Sequence, residues 1–496
     1  MQFLERLQKF NYRPVFLIPA FSLLAILVMG YHPGIEDDAV YLTAVKSDLN
    51  PALYPHDSQF FRLQLQATLF DKWVAEFVRV THIPVATTEL VFQFISLFAM
   101  IYGCWSIARI LFDDERAHWA GVGLVAAMMT LPVSGTALYL ADQHLHPRNV
   151  ATALVLLAVS RIIRDKLWQA VPLLLLAFVL HPIMAAFGIS FCFFLTMAML
   201  EPVHAWLRSL RDVLAAAVPL GWIFESPTPV WRRALETRSY CFLYRWTWYE
   251  WLGALGPLLL FWLLWRIALK NKMTVLSRFA LAVFAYGVFQ QSVAMIVLAS
   301  PALVRITPMQ PMRYLHLIYV FMSLIAGCML GKLLLKASTL RWAIFLAVVN
   351  IGMYIPQREL FSHSAHLELP GIQPGNPWLQ AFAWIRGNTP DDAYFAMGPF
   401  YLSAPGEDYH SFRALAERSQ LADMIKDPAL VTQVPDLGPD WQRQVSATAR
   451  WQNFTFADFE RLKSSLGVDW VIVKHSQQPG LVCRWHNQLL AVCQIP

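Results

Sequence analysis

Residues 15–45, "VFLIPAFSLLAILVMGYHPGIEDDAVYLTAV", join a long apolar run to three consecutive acids, Glu36, Asp37 and Asp38. The run approaches the roughly 20 residues that a bilayer demands of a spanning helix. The acids therefore stand where the chain has just left lipid. Two readings compete. Acids opening "DDAVYLTAV" satisfy the free backbone N–H groups and the dipole of a helix start. Alternatively one carboxylate acts as a general base while a neighbour binds a cation or orients that base, because adjacent acids perturb each other's proton affinity.

The rest of the chain repeats the apolar pattern. Its 496 residues are 57% apolar and only 15% charged, with 19 Trp and 33 Phe, where a soluble domain is nearer a quarter charged. Runs such as "WLGALGPLLLFWLLW" and "FALAVFAYGVFQQSVAMIVLA" also suit membrane helices. About eleven spans are expected, near 15–30, 87–111, 119–140, 149–163, 167–181, 183–200, 212–225, 251–269, 279–299, 314–331 and 341–355. Arg6, Lys9 and Arg13 precede the first run as in a signal peptide, but "YHPGIEDD" replaces a small-residue cleavage site, so a retained span is expected. Lys and Arg crowd "RILFDDERAH", "RIIRDK", "WLRSLRD" and "LWRIALKNKMTVLSR". The positive-inside tendency puts those loops and the N-terminus in the cytoplasm and the tail outside.

From Gln357 onward 11 Lys and Arg face 14 Asp and Glu, a net −3, leaving the remainder at +9. Composition thus divides the chain into a membrane part, 1–356, with a first outer loop at 31–85, and a soluble α/β part, 357–496. In the tail "NPWLQAFAWIRGNTP" and "TFADFERLKSSLG" read as helices, "DAYFAM" and "VDWVIVKH" as strands, and "LVCRWHNQLLAVCQI" as a hairpin. Cys483 and Cys493 flank that hairpin, where a cross-strand disulfide or two buried thiols are the alternatives. No basic run with interleaved aromatics occurs, so nucleic acid is not an expected partner.

Other outer segments concentrate chemistry. His56 and Asp57 of "LYPHDSQFFRLQ" either support the acids, as hydrogen-bond partners or in a divalent cation site, or form a polar turn. "DQHLHPRNV" packs Asp142, His144, His146 and Arg148 together, for ligand binding or for headgroup contacts. His181 of "LHPIM" stands at a helix break, where Pro182 leaves backbone groups needing partners. "VRITPMQPMRYLH" carries Arg305, Gln310, Arg313 and His316. Arginine suits a phosphate through forked, charge-assisted bonds; the bland alternative is snorkelling to lipid headgroups. Arg232, Arg233, Arg238 and Arg245, among tryptophans, read as an interfacial belt rather than a site.

With "DDAVYL…YPHDSQFF…HLHPRN…LHP…QPMRYLH" and the tail "WIRGNTPDDAYF…FR…ERS", the chain resembles the GT-C superfamily of integral membrane glycosyltransferases, and within it a bacterial GT-C-like group of unsettled function. The resemblance implies a polyprenyl-phosphate-linked sugar donor, an unknown glycan, lipid or protein acceptor, and inverting transfer outside a bacterial inner membrane. It implies that Asp37 or Asp38 is the base, Asp37 first, with Glu36 leaving the choice among neighbours open. Arg305, Arg313 and Arg148 would hold the donor phosphate. His56, Asp57, His144, His146, His181 and His316 are candidates for a divalent cation or substrate contacts. A transporter or flippase, and a catalytically silent assembly protein, are the competing functions. Transport would place charges inside spans at mid-membrane and show repeat symmetry.

Overall fold

The computed structural model describes residues 13–200, 226–474 and 480–496. The span expected at 212–225 and the residues Arg6 and Lys9 lie outside them. Among the described residues, six helices are long and apolar enough to cross a membrane: Val85–Leu111, Pro182–Met199, Trp248–Lys270, Thr274–Ala299, Pro311–Leu335 and Thr339–Leu360. Shorter apolar helices Arg13–Met29 and Leu167–Leu180 join them, as does Pro147–Ile163. The chain is a multi-pass helical membrane protein with a small C-terminal sheet domain.

Tight turns at 112–114, 164–166, 271–273 and 336–338 gather Arg116, Arg164, Lys166, Lys272 and Lys336 at one end of the bundle. The long connections, which carry the acids, lie at the other. Helix packing uses small residues where backbones must approach closely. A Cβ on Gly327 would lie 2.7 Å from the Cα of Gly121, so helices Glu115–Ala127 and Leu315–Leu330 touch there without intervening side chains. Helix Thr339–Leu360 buries only Gln357 against the protein and leaves its apolar length to lipid.

One expected span is corrected. The run 119–140 leaves the helix at Ala127, and β1 (Pro132–Val133) folds back antiparallel on β2 (Leu138–Tyr139). Pro132 and Gly135 keep the chain from resuming a helix, and the apolar content that suggested a span belongs to a small, half-buried hairpin. Backbone of that kind is tolerated at such depth only where protein covers it or it lines a cavity.

The first outer loop is largely helical, with helices Tyr41–Leu49, Arg62–Ala67 and Phe70–Thr81. The tail forms one mixed sheet in the order β4 (Ser419–Gln420), β3 (Tyr394–Ala396), β5 (Trp470–Lys474), β7 (Leu490–Gln494), β6 (Val482–His486). β3 runs parallel to β4 and β5; the hairpin strands are antiparallel. Strand alternation sorts the two faces. Ile472 and Val492 pack under helix Pro377–Asn388, and Val471, Val473 and Ala491 under helix Phe456–Leu466. Asn376 caps the first of these helices, and a Thr455–Asp458 capping box starts the second. Cys483 stands opposite Cys493 in register, and the two form a disulfide.

The tail is bolted to the outer loops. Arg413 donates through Nε to Asp57 at 2.5 Å and through Nη1 and Nη2 to Asp427 at 2.7 and 3.0 Å, all three side chains being buried. Trp231 donates to the Thr432 carbonyl at 2.9 Å, and Lys46 pairs with Glu417 at 2.7 Å.

Candidate functional site

The three acids have three different fates. Gly34, at φ +83°, turns the chain so sharply that its N–H bonds the Asp38 carboxylate at 2.8 Å, and a Cβ there would strike Leu415 at 2.6 Å. Glu36 itself adopts φ 52°, and residues Glu36–Ala39 form a single 3₁₀ turn. No carboxylate bonds the N–H groups of the helix start, so capping does not explain the cluster. Asp38 points inward, 1% exposed, with Oδ1 unpartnered. Burial, reinforced by Glu89, Asp37 and Asp142, pushes its carboxyl well above the usual range despite the Gly34 N–H.

Asp37 points the other way, its side chain 38% exposed. Lys426, from the tail, places its ammonium between Glu36 and Asp37, 3.3 Å from Asp37 Oδ1. Asp37 Oδ2 lies 3.4 Å from His146 Nε2. Burial alone would raise this carboxyl, but Lys426, His146 and Arg148 outweigh it and hold Asp37 well below the usual range.

His146 is the N-cap of helix Pro147–Ile163, and its Nδ1 accepts the Arg148 backbone N–H at 2.9 Å. The ring proton therefore resides on Nε2 and faces Asp37. A neutral His146 in this tautomer offers its Nε2 proton to Asp37. Burial keeps its proton affinity low against the raising influence of Asp142 and Asp37. Arg148 is spent on Asp142, to which it donates through Nε at 3.0 Å and through Nη2. His144 is buried with no hydrogen bond at either ring nitrogen, its Nε2 3.9 Å from Asp38 Oδ1, and burial pushes it down to about 3. His316 is anchored to the Leu140 carbonyl at 2.9 Å.

Between these groups and the tail lies a cavity of about 1070 Å³. Glu36, Asp37, His146, Arg148 and His181 form one wall, the β1–β2 hairpin another, and Met424–Lys426 with Leu430 the cover. Arg313 and Arg238 face it from the connections that precede the last spans. Gln310, at φ 50°, breaks the chain between two 3₁₀ turns and accepts from Arg313 Nε at 2.6 Å. Neither Arg313 nor Arg238 forms an ion pair with a described carboxylate, and Arg238 Nε has no hydrogen-bond partner. Of the carboxylates lining the cavity, Glu36 and Asp37 share Lys426, Asp142 is paired with Arg148, and two guanidinium groups, Arg313 and Arg238, stand without acidic partners.

Several expected residues lie elsewhere. Asp57 is buried against Arg413 and the Gln420 N–H, and His56 stacks on Tyr394, so neither supports the acids or a cation beside them. Arg305 lies over the Trp231 ring, outside the cavity lining. Sequence reasoning missed Lys426, whose "MIKDP" context gives no sign that it reaches back to residue 36. It also placed Arg238 in a lipid belt. Among the described residues one group has metal-ligating geometry, His32, Glu368 and His410, and none of the three lines the cavity.

No family model matches the chain, and no curated protein matches it. Among solved structures it is similar to an archaeal oligosaccharyltransferase, AglB from Archaeoglobus fulgidus, solved with an inhibitory peptide and a dolichol-phosphate. That similarity has 12% identity and a TM-score of 0.47, and it covers 94% of this chain and 69% of the other. At such values no residue role passes from one chain to the other.

Proposed function

We propose that the chain transfers a sugar from a polyprenyl-phosphate-linked donor to a hydroxyl of an envelope acceptor, on the side of the membrane that holds the tail. The observation that carries this reading is the cavity between the acids and the tail, with an oriented carboxylate and two acid-free arginines on its lining. Asp37 is the base. The acceptor oxygen attacks the anomeric carbon and the bond from that carbon to the phosphate oxygen breaks. The acceptor proton passes to Asp37, while the phosphate leaves with the electron pair and is held by Arg313 and Arg238. A carboxylate with low proton affinity suffices here, because the hydroxyl becomes acidic only as the new bond forms. Transfer on the face opposite the phosphate inverts the anomeric carbon.

A divalent cation does not fit among these acids as they stand. The Lys426 ammonium already occupies the position between Glu36 and Asp37, so no step is routed through a metal. The charged groups gather at the outer ends rather than at mid-membrane, which favours transfer over transport.

The test is native mass spectrometry of the protein extracted from its own membrane, alongside Arg313→Ala and Asp37→Asn. A co-purifying polyprenyl phosphate or its glycoside, lost from Arg313→Ala and retained by Asp37→Asn, is expected. Absence of such a lipid from every form, even after it is added back, rejects the donor and moves transport or silent assembly ahead.

A further inference from the structure

The chain leaves its first span and immediately pairs with the tail. Tyr31 bridges to Leu367, the Glu368 N–H bonds the Tyr31 carbonyl at 2.9 Å, and the Tyr31 N–H bonds the His366 carbonyl at 3.0 Å. Ile35 bridges to His410, with the Ser411 N–H on the Gly34 carbonyl at 2.8 Å. These two backbone pairings bring His32, Glu368 and His410 together. Their ligand atoms all lie within 4.8 Å of one another, and both imidazoles are fully buried. His32 is further fixed by stacking on Phe361, with ring centroids 4.0 Å apart.

The hydrogen bonds around His410 create a conflict that a cation resolves. Its Nδ1 lies 2.9 Å from the Glu407 carbonyl, which can only accept, so Nδ1 carries the proton. In the neutral ring Nε2 then presents a lone pair, and it faces both Glu368 carboxylate oxygens at 3.0 Å. The same carboxylate is approached by His32 Nδ1 at 2.8 Å. A lone pair opposite a carboxylate needs a positive centre between them, a proton or a metal ion. A backbone carbonyl holding the remote imidazole nitrogen is also the usual outer support of a metal-bound histidine. Two nitrogens and a carboxylate suit zinc, whose ligands lie about 2.0–2.2 Å from the metal and therefore about 3.4 Å from each other in a tetrahedral site. Opening the present contacts by about half an ångström would admit it.

We infer that His32, Glu368 and His410 bind a zinc-type transition metal that clamps the tail to the chain leaving the first span. The clamp is structural and separate from the cavity. Because Gly34 and Ile35 lie on the clamped backbone and Glu36 follows directly, the metal also fixes the position of the acids. The inference stands on these three residues and does not depend on the transfer reaction.

The full-length protein is purified in detergent through a tag that carries no histidines, stripped with a chelator, and titrated with zinc against a chromophoric competitor. The metal content of the unstripped protein is measured by inductively coupled plasma mass spectrometry. One zinc per chain with a micromolar or lower Kd is expected. Glu368→Gln and His410→Gln should weaken binding at least tenfold, while His363→Ala, an exposed neighbour outside the group, should leave it unchanged. Hydrogen exchange across 30–36 and 406–412 should be at least tenfold faster in the stripped protein and restored by zinc. If the wild-type chain binds no zinc below about 100 µM, the positive centre is a proton on His410 and the inference fails. It fails equally if the variants bind as tightly as wild type. Should the variants not fold, the wild-type titration and the exchange difference decide.

Discussion

Arg413→Met tests how the tail is held over the cavity. Arg413 is the single cation between Asp57 of the first outer loop and Asp427 of the tail, and all three side chains are buried. Methionine keeps most of the volume and removes the charge. Each carboxylate then stays buried without its counter-charge, but neither is stripped of donors. Asp57 keeps the Gln420 N–H at 3.0 Å, and Asp427 keeps the Asp423 N–H at 2.8 Å. Taking up a proton caps the cost, since protonating an ordinary carboxyl at pH 7 takes about 4 kcal/mol. With one good donor left, about 2 kcal/mol per acid is reasonable, giving about 4 kcal/mol in total, within the range for breaking a buried ion pair. That figure corresponds to a roughly thousandfold rise in local opening. Hydrogen exchange read by mass spectrometry over 53–61 and 419–433 measures it directly. Asp57→Asn, which leaves one pair intact, should accelerate exchange far less. Exchange within threefold of wild type in both segments of Arg413→Met would show that the buried triad does not hold the tail, and would refute the reasoning.

Four further outcomes follow from the same geometry. Burial raises the Asp37 carboxyl and Lys426, His146 and Arg148 more than reverse it, so Asp37 stays ionised below the usual carboxylate range; turnover of a polyprenyl-linked donor should hold as pH falls through about 4 and be lost only below that, whereas Lys426→Met should move the acid limb upward. Asp38→Asn removes an acid that burial already pushes towards its neutral form, and should cost far less turnover than Asp37→Asn, for which a loss of about 10²–10⁴ is expected. Gly34→Ala combines a left-handed backbone with contact against Leu415 and should destabilise the protein by about 1–3 kcal/mol in a denaturation assay. Cys493→Ser opens a loop spanning 10 positions in sequence and should cost the tail about 2.7 kcal/mol, read as faster exchange in β6 and β7.

The elements legible in the sequence are those with a local cause. Apolar length gave the helices; the stop at Gly387-Asn388 and the glycine ending "TFADFERLKSSLG" gave the tail helices their C-terminal ends; the spacing of Cys483 and Cys493 across a hairpin suggested their disulfide. Run 119–140 reads as a span because hydropathy measures composition, and a short hairpin lining a cavity can be as apolar as a helix in lipid. At the site, "EDD" and "HLHPRN" were found because polar clusters at helix ends are conspicuous. What could not be read was direction. Adjacent residues Asp37 and Asp38 diverge on one 3₁₀ turn, whose three-residue period sends neighbours about 120° apart, so one is buried and the other reaches the cavity. Lys426 and Arg413 reach their partners across more than 350 positions, and no local pattern encodes such a pairing.

That long reach bears on how the two compositional halves work together. The membrane part supplies the carboxylate, its histidine and the arginines, but the cation balancing Glu36 and Asp37 belongs to the tail. Removing the tail would leave two acids side by side without their ammonium, and like charges so placed raise each other's proton affinity. The membrane part alone would then present a carboxylate of higher proton affinity than Asp37 has beside Lys426. Lys426 sits one residue from Asp427, the Arg413 partner, so whatever loosens the buried triad also loosens the ammonium over the acids. The tail is therefore part of the proposed site, because its Lys426 is one of the groups, with His146 and Arg148, that hold the Asp37 carboxyl low.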